Sequence, residues 1–345
     1  MIKHSNMEPT SKKESNQFIG KLRGLASTST KESVFTILAF DHRQSFAKLL
    51  PARQGETVSY ADIVAAKAAV VEALSPHASA VLLDPEYSAA QSIASGILPG
   101  QTGLLVAIEE TGYSGSATAR ESKLLPGWSV AKIKRMGADA VKLLIYYHPE
   151  AGELTDHQER LTQEVIQDCH RYDIPLYLEA VSYSIDPKLD KNSAGFAARR
   201  PGLIREIASR LGALGPDVLK LEFPVDVFND PEEGNWARAC EAVSEAAECP
   251  WAVLSAGVDF DMFKRQVEIA CRWGASGYIA GRAVWKEGIP MPPQQRDDWL
   301  RKVAAARLDQ LAEIADQHAR PWRDFLPGIE NTPSSGWVDS YQGLS

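Results

Sequence analysis

Two lysines inside strand-like stretches carry the chemistry this sequence can do. Lys220 stands in DVLKLEFPV (217–225) and Lys142 in ADAVKLLIYY (138–147). Lysine is depleted in strands. Each therefore either reaches along its stem to water or is held inside for a purpose. Side chains alternate along a strand, so Lys220 and Glu222 share one face while Leu219, Leu221 and Phe223 share the other. Lys142 likewise faces away from Val141, Leu143 and Ile145, and Glu179 alternates with Leu178 and Ala180 in IPLYLEAVSY (174–183). A lysine taken out of water, or set beside a second cation, gives up its proton more readily and becomes a nucleophile toward ketones. A carboxylate such as Glu179 can shuttle the protons of carbinolamine loss and carbon–carbon cleavage. A lone buried lysine is usually half of a structural ion pair. Two lysines and two carboxylates on one inner face are expensive to bury without a function.

The elements that must position these groups are short, continuously apolar strands separated by helical patterns. VFTILAFD (34–41) ends in Asp41, followed by His42, Arg43 and Gln44. AVLLDP (80–85) and GLLVAIE (103–109) are the second and third strands. The Lys142, Glu179 and Lys220 strands are the fourth to sixth, WAVLSAG (251–257) the seventh and GYIAGRA (277–283) the eighth. Helical spacing is expected over 17–25, 60–74, 86–94, 129–136, 156–172, 199–211, 235–248, 260–273 and 294–317. Long polar loops are expected over 110–123 and 184–198. Apolar strands alternating with helices mean parallel β built from βαβ units. Eight of them predict an α/β fold, a single-domain (β/α)₈ TIM barrel over 18–320. A disordered polar tail (1–17) precedes it and a Pro/Gly/Ser-rich C-terminal tail (321–345) follows. A doubly wound sheet is disfavoured because no G-x-G-x-x-G follows the first strand.

In such a barrel the active site lies at the C-terminal strand ends. Asp41 there can orient a sugar hydroxyl, or can merely cap a helix or pair with Arg43. Ser255, Gly257, Gly281 and Arg282 supply backbone N–H groups and a guanidinium after strands seven and eight, where barrels commonly hold phosphate. Ser255-Ala256-Gly257 alone also reads as an ordinary strand-to-helix turn. His42 is aimed at the rim or at the loop after strand eight. From there it can donate to a distal anion with a charge adjustable near neutral pH, or can simply pack against the following helix.

With 345 residues, 44% hydrophobic, 24% charged and a net charge of -8, the chain has ordinary globular composition. The acidic balance argues against nucleic acid and anionic membranes as partners. No apolar run is long enough to span a bilayer, residues 1–17 lack an apolar signal core, and four cysteines show no C-x-x-C spacing. A cytoplasmic protein is expected. Of seven histidines only His42 and His148 fall at strand ends, so a zinc site is not expected and no cofactor is called for.

GADAVKLLIYYHPE, PLYLEAVSY, DVLKLEFPVDV and LSAGVDFDMFKRQVEIACRWGASGYIAGRAVW, with LLVAIEETGYSGSATARE around strand three, resemble the class I tagatose-1,6-bisphosphate aldolase family. The similarity covers roughly residues 30–290. It implies a metal-independent Schiff-base barrel in which Lys220 forms the imine, Glu179 is the acid/base and Lys142 is its neighbouring lysine. By the same resemblance Ser255, Gly257, Gly281 and Arg282 belong to phosphate binding. Asp41 is a further catalytic candidate, and His42 and Arg43 are further substrate-binding candidates. The implied partner is a small phosphorylated sugar, and such barrels commonly form homo-oligomers. The sequence departs from the family at strand one, where Asp41-His42-Arg43 replaces Asp-Gln-Arg. The nearest enzymatic alternative is a sulfofructose-1-phosphate or other phosphosugar aldolase with the same mechanism. An alternative of another class is a non-catalytic sugar-phosphate sensor on the same barrel.

Overall fold

The computed structural model describes residues 18–51, 57–326 and 335–341. The tail expected over 1–17 lies outside these residues. Eight parallel strands close into a barrel: β1 (Phe35–Phe40), β2 (Ala80–Leu83), β3 (Gly103–Ala107), β6 (Ala140–Tyr147), β7 (Leu176–Ser182), β8 (Val218–Glu222), β9 (Trp251–Leu254) and β10 (Gly277–Ala280). The short strands β4 (Ser114–Ser116) and β5 (Ala119–Glu121) form an antiparallel hairpin inside the expected loop after β3.

Period-2 alternation sorts the strand residues as the sequence implies. Phe35, Ile37, Ala39, Leu105, Ala140, Tyr177, Val218, Ala252 and Ile279 pack together inside the barrel. Leu38, Phe40, Val141, Leu143, Leu219 and Leu221 pack outward in the larger core that includes the helices. The face of β8 opposite Leu219 and Leu221 therefore points into the barrel, and it carries Lys220 and Glu222.

The N-terminal end of the barrel is closed by two pieces. Helix Ile19–Ser27 brings Leu25 into the inner cluster and ties Lys21 Nζ to Asp217 Oδ2 at 2.8 Å. Trp322, in the segment expected to be a tail, is fully buried in the same cluster and donates its indole N–H to Ser29 Oγ. The one long helix expected over 294–317 is instead Pro293–Trp299 and Ala305–His318, joined by a wider π-helical turn at Leu300–Ala304.

Candidate active site

The ladder sets the floor of the site. Leu144 of β6 stands opposite Glu179 of β7, Glu179 opposite Lys220 of β8, and Lys220 opposite Ala252 of β9. Lys220 Nζ donates to Glu179 Oε2 at 2.8 Å. Lys142 Nζ reaches Asp41 Oδ2 at 2.7 Å, Glu109 Oε1 at 2.5 Å and Glu179 Oε2 at 3.1 Å. Both lysines are buried, and one carboxylate oxygen is shared between them. Asp41 pairs with Lys142, not with Arg43. The barrel opens above these groups into a cavity of ≈ 510 Å³.

Charge is balanced tightly there. Burial alone would lower the Lys142 ammonium, but Asp41, Glu109 and Glu179 overturn this and hold it well above the ordinary lysine value. Lys142 is thus a fixed cation whose charge is offset by three carboxylates. The expectation of an uncompensated neighbour pressing on Lys220 is corrected to that extent. Burial would raise both Glu179 and Asp41, yet the two lysines keep each below its usual range. Glu179 therefore enters any reaction as a carboxylate, ready to accept a proton.

The rim after β9 and β10 is shaped by backbone. Ala256 (φ 46°) and Gly257 (φ 85°) are consecutive left-handed residues, and a Cβ on Gly257 would lie 3.2 Å from Arg282 Cζ. A non-glycine residue held at positive φ is strained, and such strain concentrates at functional sites. Arg282, Ser255 and Gly281 line the cavity, and no carboxylate pairs with Arg282 among the described residues.

His42 also lines the cavity, with its ring 5.1 Å from that of Trp285 and its Cε1 3.1 Å from where a Cβ on Gly281 would sit. It thus meets the segment after β10. Burial pushes its imidazole down to about 4, Asp41 opposes this only in part, and Arg282 and Lys220 add to it. The ring is neutral at neutral pH, which corrects the expectation of an adjustable charge. Its buried Nδ1 has no hydrogen-bond partner among the described residues.

Arg43 lines the cavity wall but spends its fork elsewhere. One terminal nitrogen pairs with Glu86 at 2.9 Å and the other donates to the Glu109 carbonyl at 2.6 Å. It positions Glu109.

A family model described as DeoC/LacD family aldolase matches residues 35–287. The chain belongs to this aldolase family. It is 33% identical over 314 residues to tagatose 1,6-diphosphate aldolase 1 of Streptococcus pyogenes serotype M3 (strain SSI-1), covering 86% of this chain and 95% of that one. It is also 33% identical over 324 residues to the tagatose 1,6-diphosphate aldolase of Listeria monocytogenes serotype 4a (strain HCC23), covering 88% and 94%. The crystal structure of an archaeal fructose 1,6-bisphosphate aldolase superposes with a TM-score of 0.55 at 17% identity, covering 85% of this chain and 98% of that one. The shared fold is the (β/α)₈ barrel. Membership makes the chain an aldehyde-lyase, and this replaces the reading as a non-catalytic sensor.

Two groups that line this cavity escaped the sequence reading. Glu109 ends the β3 stretch on the inward face of Leu105, the same signal that marks Asp41 on β1. It holds Lys142 with one oxygen and the Leu144 N–H with the other. Lys191 comes from the loop after β7 and pairs with Glu222 Oε1 at 2.8 Å. A loop lysine carries no periodicity that would announce it. Among the described residues, no group of three or more His, Cys, Asp or Glu is placed to hold a metal ion, and no helix is long and apolar enough to cross a membrane.

Proposed function

We propose that the protein is a class I Schiff-base aldolase that cleaves a ketohexose bisphosphate, tagatose 1,6-bisphosphate first among them. The products are dihydroxyacetone phosphate and glyceraldehyde 3-phosphate. The observation that carries this reading is the buried Lys220 amine at the cavity floor, 2.8 Å from a Glu179 carboxylate oxygen that Lys142 also holds. The two relatives named for tagatose 1,6-diphosphate support the substrate.

The chemistry follows from these groups. Glu179 takes one proton from the Lys220 Nζ it pairs with, and the freed amine adds to the ketone at carbon 2. A nitrogen proton then passes to the new oxygen, and Glu179 gives the first proton to the resulting hydroxyl. That hydroxyl leaves as water, and an iminium remains. The hydroxyl on carbon 4 then gives its proton to the Glu179 carboxylate. The bond between carbons 3 and 4 breaks, its electron pair enters the iminium to form an enamine, and the aldehyde departs. Glu179 returns the proton to carbon 3, and water hydrolyses the iminium to release dihydroxyacetone phosphate and free Lys220. Lys142 stays protonated throughout and holds Glu179, Asp41 and Glu109 at fixed positions. Arg282 and the N–H groups near Ser255, Gly257 and Gly281 take the phosphate on carbon 1.

A second reading keeps the mechanism and replaces the distal phosphate with a sulfonate. It turns on His42, which lines the cavity at the strand-one position where the family motif has glutamine. Both readings require the imine. Borohydride added with dihydroxyacetone phosphate should inactivate the enzyme irreversibly and label the Lys220 peptide. A label on Lys142, or none, would sink the assignment. Lys220→Ala should abolish cleavage and leave the circular dichroism spectrum unchanged.

A further inference from the structure

Above the reactive layer, a second polar layer surrounds the mouth over β6, β7 and β8. Tyr146 and Val181 stand opposite each other on β6 and β7, and Glu222 follows Lys220 on the inward face of β8. Glu222 is 4% exposed and accepts hydrogen bonds from the Ser182 hydroxyl and backbone N–H. Its other oxygen pairs with Lys191, which lines the cavity beside it. From the β4–β5 hairpin, Arg120 lays its guanidinium over three tyrosine rings. The centroid distances are 4.6 Å to Tyr113, 5.4 Å to Tyr146 and 5.7 Å to Tyr183. Its Nε donates to the Ala117 carbonyl, while its two terminal nitrogens find no acceptor among the described residues. A cation fixed by rings, with its fork unclaimed and one of those rings in the cavity wall, is prepared for an oxyanion.

Charge and topology say which oxyanion. The floor sets three carboxylates against two lysines, so it repels phosphate toward the rim. The rim offers cations on two sides. Arg282 follows β10, and Tyr146, beneath Arg120, belongs to β6. In the closed order β1-β10-β9-β8-β7-β6-β3-β2, those two strands are opposite walls. A sugar with its ketone over Lys220 and a phosphate at each end would have a cation on each of the two walls for its phosphates.

We infer that Arg120 on its tyrosine platform, together with Lys191, takes the phosphate on carbon 6 and so makes the aldolase selective for bisphosphates. The inference rests on the Schiff-base reading above. A purely structural Arg120 would only pin the hairpin, and the test separates the two. It measures kcat/KM for a ketohexose 1,6-bisphosphate and for the corresponding 1-phosphate. In Arg120→Gln the ratio of bisphosphate to monophosphate should fall on the order of 10- to 100-fold, the range for a lost charge-assisted hydrogen bond. Arg120→Lys should recover part of the ratio, because it restores charge without the fork. Lys191→Gln should shift the ratio in the same direction. If Arg120→Gln fails to fold, the lysine variant and Lys191→Gln decide by the same ratio. An unshifted ratio across the variants overturns the inference. Wild-type enzyme should also exchange a carbon-bound proton of dihydroxyacetone phosphate in deuterated water, a step that needs the Lys220 enamine and no distal phosphate. Loss of that exchange would sink the Schiff-base reading, whereas normal exchange with an unshifted ratio sinks only the role of Arg120.

Discussion

The floor and the rim of the cavity are built by different means. On the floor, Lys142, Glu179 and Lys220 sit within strands while Asp41 and Glu109 lie just past strand ends, and ladder register with period-2 alternation fixes where the strand residues point. Three of those groups, Asp41, Glu109 and Glu179, meet at Lys142, and Glu179 ties Lys220 to them. On the rim, Arg120, Lys191 and Arg282 come from a hairpin, a loop and a four-residue helix, and each is held by its own local contacts. Substitutions on the floor should therefore lower stability as well as activity, with the fold retained. Substitutions on the rim should change which substrate is accepted.

The largest effect should come from Lys142→Met. It leaves three buried carboxylates with Lys220 as their one remaining lysine, and breaking a buried ion pair on one side destabilises by about 3–5 kcal/mol. Chemical denaturation should show a lowered midpoint with an unchanged slope, together with loss of cleavage. A variant as stable as wild type would mean the floor is not a coupled unit. Next comes Glu179→Gln, which keeps the shape of the side chain and can still accept a hydrogen bond from Lys220. It removes the proton carrier, so kcat should fall roughly 10²–10⁴-fold while KM changes little. A kcat within a few-fold of wild type would move the acid/base role to another group.

How much of this was legible in the sequence divides along the same line. The barrel, its strands and the inward set were readable because alternation is a local property of each strand. That rule placed Lys220, Glu179, Lys142 and Asp41 on the inward face, and all four line the cavity. Glu109 obeyed the rule and was passed over, since the glycine-rich stretch after it read as the start of a loop. Arg120 and Lys191 obey no such rule. Their neighbours are set by how a hairpin folds back over β6 and how a loop crosses β8, which are tertiary events without periodicity. Trp322 is the same case at the other end, where a Pro/Gly/Ser-rich composition hid a plug for the barrel floor. The break in the last helix at Leu300–Ala304 left no proline or glycine as a warning.

A rim substitution should behave differently from either floor variant. Arg282→Lys keeps the charge but loses the planar fork that can bind a phosphate with two parallel hydrogen bonds. KM for the phosphorylated substrate should rise by an amount corresponding to about 1.5–3 kcal/mol, with stability unchanged. The reason is that no carboxylate pairs with Arg282 among the described residues. An unchanged KM would remove it from the site, and a lowered denaturation midpoint would assign it to the floor's kind of coupling.

His42 lies where floor and rim meet, and its substitution should have the smallest effect. It follows Asp41 on the strand, yet its ring packs against Trp285 beyond β10. Because its imidazole is held near 4, it carries no charge between pH 5 and 8. The pH profile of kcat/KM should therefore show no inflection in that window that His42→Gln removes. Stability should show the linkage instead. The unfolded chain takes up a proton on this ring as pH falls through about 6.5, the folded protein only near 4, so stability is full above that window and declines as pH falls through it. His42→Gln should flatten that part of the decline. If the imidazole reads the substrate, it does so as a neutral hydrogen-bonding group. The glutamine variant should then alter the ratio of kcat/KM between tagatose bisphosphate and sulfofructose phosphate by a few-fold, about the worth of one neutral hydrogen bond. A flat ratio with the expected stability change would make His42 part of the packing around Trp285 and return the choice of substrate to Arg120 and Lys191.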